Sequence, residues 1–165
     1  MMGNPARDRG WYTNQAGTRY VRDAAKPKPP KEKPVLPSKQ LLPFLQGEAA
    51  GDLQLAVVMA VRNLIRTSDA YVKNMRACSK TGQPTDPTSP DAVRWNIFGA
   101  LEYITYPNFS RVQKRVVLDM VKQNLPAEWR TRLFLWEEDR HTTHSQVVNL
   151  LNQTVGMRKK ELAQT

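Results

Sequence analysis

Between residues 52 and 66 the apolar positions recur at helical spacing: Leu53, Val57, Ala60, Val61 and Leu64 form one stripe, which Leu55, Val58 and Ile65 widen. So broad a stripe predicts a helix buried around most of its circumference, and the pattern carries it on through Tyr71, Val72 and Met75. Residues 79–89 break the periodicity with Gly82, Pro84 and Pro87 and predict a loop. At Ser89-Pro90-Asp91 a capping hydroxyl, a first-turn proline and a carboxylate suited to the positive helix end predict a second helix, running to about Tyr103. Val93, Ile97, Ala100, Leu101 and Ile104 share one of its faces, while Trp95 and Phe98 require burial on another. Gly99 costs such a helix stability relative to alanine, so its presence predicts close approach by another helix.

After the punctuation of Pro107, Asn108 and Ser110, a third helix is expected to turn Val112, Val116, Val117, Met120 and Val121 inward and Arg111, Lys114, Arg115 and Lys122 outward, ending at Leu125-Pro126. Residues 128–136, with Trp129, Leu133, Phe134, Leu135 and Trp136, read as a short helix laid over the core. Thr143-His144-Ser145-Gln146 matches the capping box, in which hydroxyl and amide satisfy each other's exposed backbone donors. The last helix then points Val147, Leu150, Leu151 and Val155 inward. With no strong period-two segment and no internal repeat, the fold class is all-α: a single compact helical domain of about four to five helices over residues 48–157, followed by a basic tail, 158–165.

Residues 1–47 break with this pattern and read as a long extended basic, Pro-rich N-terminal arm. Lys26, Lys28, Lys31 and Lys33 alternate with Pro27, Pro29, Pro30, Pro34 and Pro37, which withdraw backbone donors and favour polyproline geometry, leaving almost nothing apolar to bury. Upstream, Arg7, Arg9, Arg19 and Arg22 interleave with Trp11, Tyr12 and Tyr20, a mixture able to pair with acidic groups and to stack or insert rings. Pro27 to Pro30 and Pro34 to Pro37 also satisfy the PxxP spacing of groove ligands. Fully extended, the arm reaches on the order of 150 Å, far beyond a domain of this size, and it is expected to gain its shape against another macromolecule. Leu41, Leu42, Phe44 and Leu45 at its end are apolar enough to dock on the domain or on a partner.

The net charge of +10 deepens this reading, because nine Lys/Arg against three Asp/Glu fall in residues 1–47 and sixteen against twelve in residues 48–165. Acidic partners are favoured: nucleic acid, an acidic protein surface or anionic lipid. The outward Arg111, Lys114, Arg115 and Lys122, with Arg130 and Arg132, form a candidate phosphate-contacting face, to which Arg158, Lys159 and Lys160 add. The single cysteine, Cys78, rules out an internal disulfide and a cysteine zinc site, and it reads as an ordinary thiol at a helix end despite nearby Arg76 and Lys80. His141 and His144 follow Glu137, Glu138 and Asp139, but the histidines sit at a helix entry and adjacent carboxylates do not point into one cleft, so the trio reads as a charged, solvated turn. No phosphate-cradling loop, nucleophile elbow or dinucleotide fingerprint is present, and no catalytic residue, cofactor or metal is expected. The apolar run of residues 53–65 is too short for a bilayer span. No secretory signal is expected; Arg7, Arg9, Arg19 and Arg22 keep a mitochondrial address open, with Asp8 and Asp23 against it.

Two segments, Trp95-Asn96-Ile97-Phe98-Gly99-Ala100-Leu101 and Trp136-Glu137-Glu138 followed by Thr142 or Thr143 and Val147, resemble a small helical domain family of unknown function found in actinobacteria and their phages. Asn96 stands where that family has cysteine, and Glu137-Glu138 where it has Asn-Asp. The resemblance implies a compact helical body in which Trp95, Gly99 and Trp136 pack, and a phage setting; it brings no activity. The leading expectation is a non-enzymatic structural or assembly subunit, most concretely a phage virion component whose arm threads across neighbouring subunits, located in a virion or the cytoplasm. The rival is a ribosomal or genome-associated subunit contacting nucleic-acid phosphates; a third reading is a regulator of a larger host enzyme. Neither membrane nor small-molecule substrate is expected as a partner.

Overall fold

The chain is described by a computed structural model over residues 39–165. A five-residue helix, α1 (Leu42–Gln46), leads into α2 (Leu53–Leu64), a short antiparallel pair of strands, β1 (Ala77–Cys78) and β2 (Arg94–Trp95), then α3 (Ile97–Thr105), α4 (Arg111–Lys122), α5 (Leu133–Glu138) and α6 (His144–Ala163). The described residues are thus mostly helical, as expected. The predicted docking of residues 41–45 falls on the domain itself: α1 packs on α2, and Leu41 is fully buried.

α2 is the axis of the fold. Every residue from Leu55 to Val61 is buried, and α6, α3, α1 and α4 all pack around it. Asp52 caps its start by accepting the Leu55 amide at 2.9 Å. The predicted continuation to Met75 does not occur. The helix stops at Leu64, where the Ile65 carbonyl is taken by His144 Nε2 at 2.7 Å, and a 3₁₀ turn, Ser68–Ala70, follows. Thr67, Ser68 and Asp69, residue types that compete with helical hydrogen bonds, mark the break.

The predicted helix start at Ser89-Pro90-Asp91 is likewise a turn, closed by Ser89 Oγ accepting the Asp91 amide at 3.1 Å. The chain runs extended through β2, pairing Ala77 with Trp95 and Cys78 with Arg94, so Cys78 lies buried in a strand rather than at a helix end. A two-residue strand is too short to leave an alternating pattern in the sequence. α3 begins only at Ile97, capped by Asn96 Oδ1, which accepts the Gly99 amide at 2.8 Å. Trp95 is buried as predicted, its indole donating to the Pro87 carbonyl at 3.0 Å. Gly99 does mark a close approach, but the neighbour is the backbone carbonyl of Arg76 and not a helix.

α4 carries a complete capping box between Ser110 and Gln113, yet buries only Val117 and Val121. Val112 and Val116, predicted inward, are 71% and 38% exposed. Each successive residue of an α-helix turns by about 100°, so seating Val117 against the core swings Val116 away from it. The piece read as residues 128–136 splits into a 3₁₀ turn, Ala127–Trp129, and α5. α6 starts on the predicted box between Thr143 and Gln146 and buries Val147, Leu150, Leu151 and Val155 as expected. It runs on to Ala163, making residues 158–163 its last turns instead of a separate tail.

Candidate functional site

The outer face of α4 and the exposed side of α3 enclose a groove of about 300 Å³. Its floor is Phe98 and Leu101 from α3 and Leu118 from α4, while Arg111, Lys114, Arg115 and Lys122 of α4 stand over it with Arg76, from the segment before β1. The helical offsets explain the gathering. Positions 111, 115, 118 and 122 follow the spacing that keeps side chains on one helix face, a face at right angles to the buried Val117 and Val121. One carboxylate sits among the cations: Glu102 accepts from Lys114 Nζ at 3.1 Å and pairs with Arg76 at 3.5 Å. Lys122 leans toward Asp119 at 3.7 Å.

The structure brings together four of the six candidate phosphate-contacting residues. Arg130 and Arg132 do not line this groove; Arg132 donates to the Glu128 carbonyl at 2.6 Å and lies over the Trp129 ring. Nor do Arg158 and Lys159 add to the basic face, since they are paired with Asp52 and Glu48. The arm candidates, Arg7, Arg9, Trp11, Tyr12, Arg19, Tyr20, Arg22, Lys26, Lys28, Lys31 and Lys33, and the PxxP matches lie outside the described residues. Arg76 and Glu102 were missed, because neither shares a sequence pattern with α4.

A second constellation overturns the reading of residues 137–139 as a solvated turn. Glu137 is fully buried, its Oε2 accepting the Ile97 amide at 2.8 Å and the Tyr71 hydroxyl at 3.0 Å. Among the described residues, its Oε1 and the buried Asn96 Nδ2 have no hydrogen-bond partner. Burial pushes the Glu137 carboxyl up to about 7, against the pull of the Ile97 amide and Tyr71 hydroxyl toward ionisation. The Tyr71 phenol is raised above its ordinary 10, by burial first and the Glu137 charge second. The sequence held the signal: Leu133, Trp136 and Glu137 stand at i, i+3 and i+4, the spacing of one buried helix face.

His141 pairs with Asp139 at 3.3 Å on the surface, while His144 is engaged with Ile65, so the two histidines do not converge. Among the described residues no three His, Cys, Asp or Glu side chains form a metal-holding group. No described helix is long and apolar enough to cross a membrane. Comparison with known protein families, curated proteins and solved structures finds no match.

Proposed function

We propose that this chain is a non-enzymatic assembly subunit whose helical domain docks an acidic, part-apolar protein segment in the α3–α4 groove, with the basic residues that precede residue 39 as a second contact. The observation that carries this reading is the composition of the groove: five cationic side chains around an apolar floor, with a single carboxylate between them. Such a surface matches a peptide that places leucine or phenylalanine on Phe98, Leu101 and Leu118 and carboxylates on the rim. A phosphate backbone fits it less well, because it gains nothing from the apolar floor.

The test is fluorescence anisotropy of a labelled acidic amphipathic peptide, alongside single-stranded DNA and RNA of equal charge, titrated with full-length protein over a salt series. The peptide is expected to bind and to retain measurable affinity at high salt through its apolar contacts. R111E/R115E is expected to weaken it about tenfold or more, the equivalent of about 1.4 kcal/mol. Preference for the nucleic acids, with a steep salt slope, would replace this reading with a phosphate-binding one. Equal peptide binding by R111E/R115E would remove the groove from it.

A further inference from the structure

Glu137 occupies a junction that the docking groove does not use. It belongs to α5, a helix of six residues, far too short to hold its shape unless docked. Leu133, Trp136 and Glu137 face inward, and the Glu137 carboxyl joins α5 both to the first amide of α3 and to Tyr71. On its outer side α5 exposes Phe134 and Leu135, and Phe134 meets Phe98 of the groove floor edge-on, ring centroids 5.7 Å apart. One short helix therefore touches a buried carboxyl on one side and the groove on the other.

Burial and the like charge of Glu138 favour the neutral form of that carboxyl, while the Ile97 amide, the Tyr71 hydroxyl and Lys73 pull it toward ionisation. Tyr71 and Lys73 act on it from the segment after the 3₁₀ turn and Glu138 from α5; behind Tyr71 stands His144 of α6, the two rings 5.0 Å apart, and Asp139 at the end of α5 interacts with Lys73 and His141. Lys73, whose charge acts on Glu137, donates to the carbonyls of Asp139 and Thr142. Glu138 adds like charge. Ionisation strengthens the two hydrogen bonds on Oε2, but among the described residues Oε1 is buried without a partner, so the negative charge is left only partly compensated in the interior.

We propose that α5 is a proton-dependent latch: with Glu137 protonated it holds the start of α3 and Tyr71, and on ionisation of that carboxyl it loosens and shifts Phe134 against Phe98. The latch rests on the docking reading only for its consequence, a groove whose floor changes with pH. The direction follows from linkage. A carboxyl raised in the folded state keeps its proton there at a pH where the unfolded chain has lost it, so docking is firmest at mildly acidic pH and weakens as pH rises through neutrality.

The experiment is an NMR titration of ¹³C,¹⁵N-labelled full-length protein without any partner. The Glu137 carboxyl is expected to titrate near neutrality, apart from the other carboxyls, and the Ile97 amide and Phe134 ring signals are expected to move with the same midpoint. Exchange protection of the Ile97 amide, referenced to E137Q to remove the intrinsic pH effect, is expected to fall about tenfold across that range. Titration of Glu137 in the ordinary carboxylate range, or Ile97 and Phe134 signals that stay flat through its titration, would overturn the latch. Should E137Q fail to fold, the coincidence of the three wild-type midpoints decides alone. Because no peptide is present, loss of the docking reading leaves this result standing, and the converse holds for the anisotropy test at fixed pH.

Discussion

Gly99→Ala is expected to destabilise the domain by about 3 kcal/mol or more, the upper end of what overpacking a core costs. A Cβ at this position would stand 1.7 Å from the Arg76 carbonyl oxygen and 2.6 Å from its carbon, both backbone atoms that cannot swing aside as a flexible side chain does. Making room means moving the strand segment. The same Arg76 carbonyl accepts the Asn96 amide at 3.2 Å, immediately after β2 and at the cap of α3. Displacing it therefore breaks that bond, disturbs the Ala77–Trp95 pairing and pulls on the cap that holds Gly99 itself. Gly156→Ala is the matched control, since Gly156 lies in α6, is exposed and has nothing within 4 Å of an added Cβ. That change is expected to stabilise by roughly 0.5–1 kcal/mol through helix propensity alone. Urea denaturation of the pair checks both signs: two glycines, both inside helices, should respond in opposite directions. A Gly99→Ala protein as stable as wild type would show that the Arg76 carbonyl does not constrain α3 at this position.

The two glycines also show what was readable from the chain alone. A glycine inside an apolar helical pattern announced a close approach at Gly99, but periodicity says nothing about what approaches. The elements read correctly were those whose signals are local and redundant: α2 by its broad apolar stripe, α6 by a capping box followed by Val147, Leu150 and Leu151. Errors fell where tertiary pairing decides. Ser89-Pro90-Asp91 satisfies every local rule for a helix start, yet the next residues are drawn into β2 by Ala77 and Cys78, some 16 residues earlier. α4 was found, but its rotation was not, because its valines at 112, 116, 117 and 121 span more of the circumference than one neighbour can cover. Of the groove, the α4 cations were legible by their spacing; Arg76 and Glu102 were not, because the fold alone puts them beside α4. Glu137 was misread because its two acidic neighbours suggested solvent, although Leu133 and Trp136 placed it on the buried face.

Asp52→Ala is expected to cost about 2–3 kcal/mol, because one carboxylate performs two tasks at the place where the beginning and end of the domain meet. Its Oδ2 accepts the Leu55 amide as the cap of α2, a contribution of about 1 kcal/mol. The same group takes a bidentate grip from Arg158 of α6, with Nε to Oδ2 at 3.0 Å and Nη2 to Oδ1 at 2.8 Å. Both side chains are less than a quarter exposed, so this charge-assisted pair is screened less than a surface ion pair and contributes a further 1–2 kcal/mol, approximately. Asp52→Asn separates the tasks, since asparagine caps as well as aspartate but cannot grip a guanidinium as an anion; it should lose only about the second part. The Arg158 hydrogen bond also holds the Asp52 carboxyl below its ordinary 3.8, opposed by burial and helped by the Leu55 amide. For a carboxyl lowered in the folded state the stabilisation is complete above 3.8 and is lost as pH falls through the depressed folded value. The stability gap between wild type and Asp52→Asn should therefore stay constant from neutral pH to about pH 5 and close in stronger acid. This slope is opposite in sign to that of Glu137, whose penalty grows as pH rises, so denaturant midpoints over the full pH range distinguish the two carboxyls. A cycle with Arg158→Gln completes the argument: Asp52→Asn should cost little once Arg158 is gone, and an undiminished cost would mean that the contact from α6 back to the start of α2 does not hold the fold together.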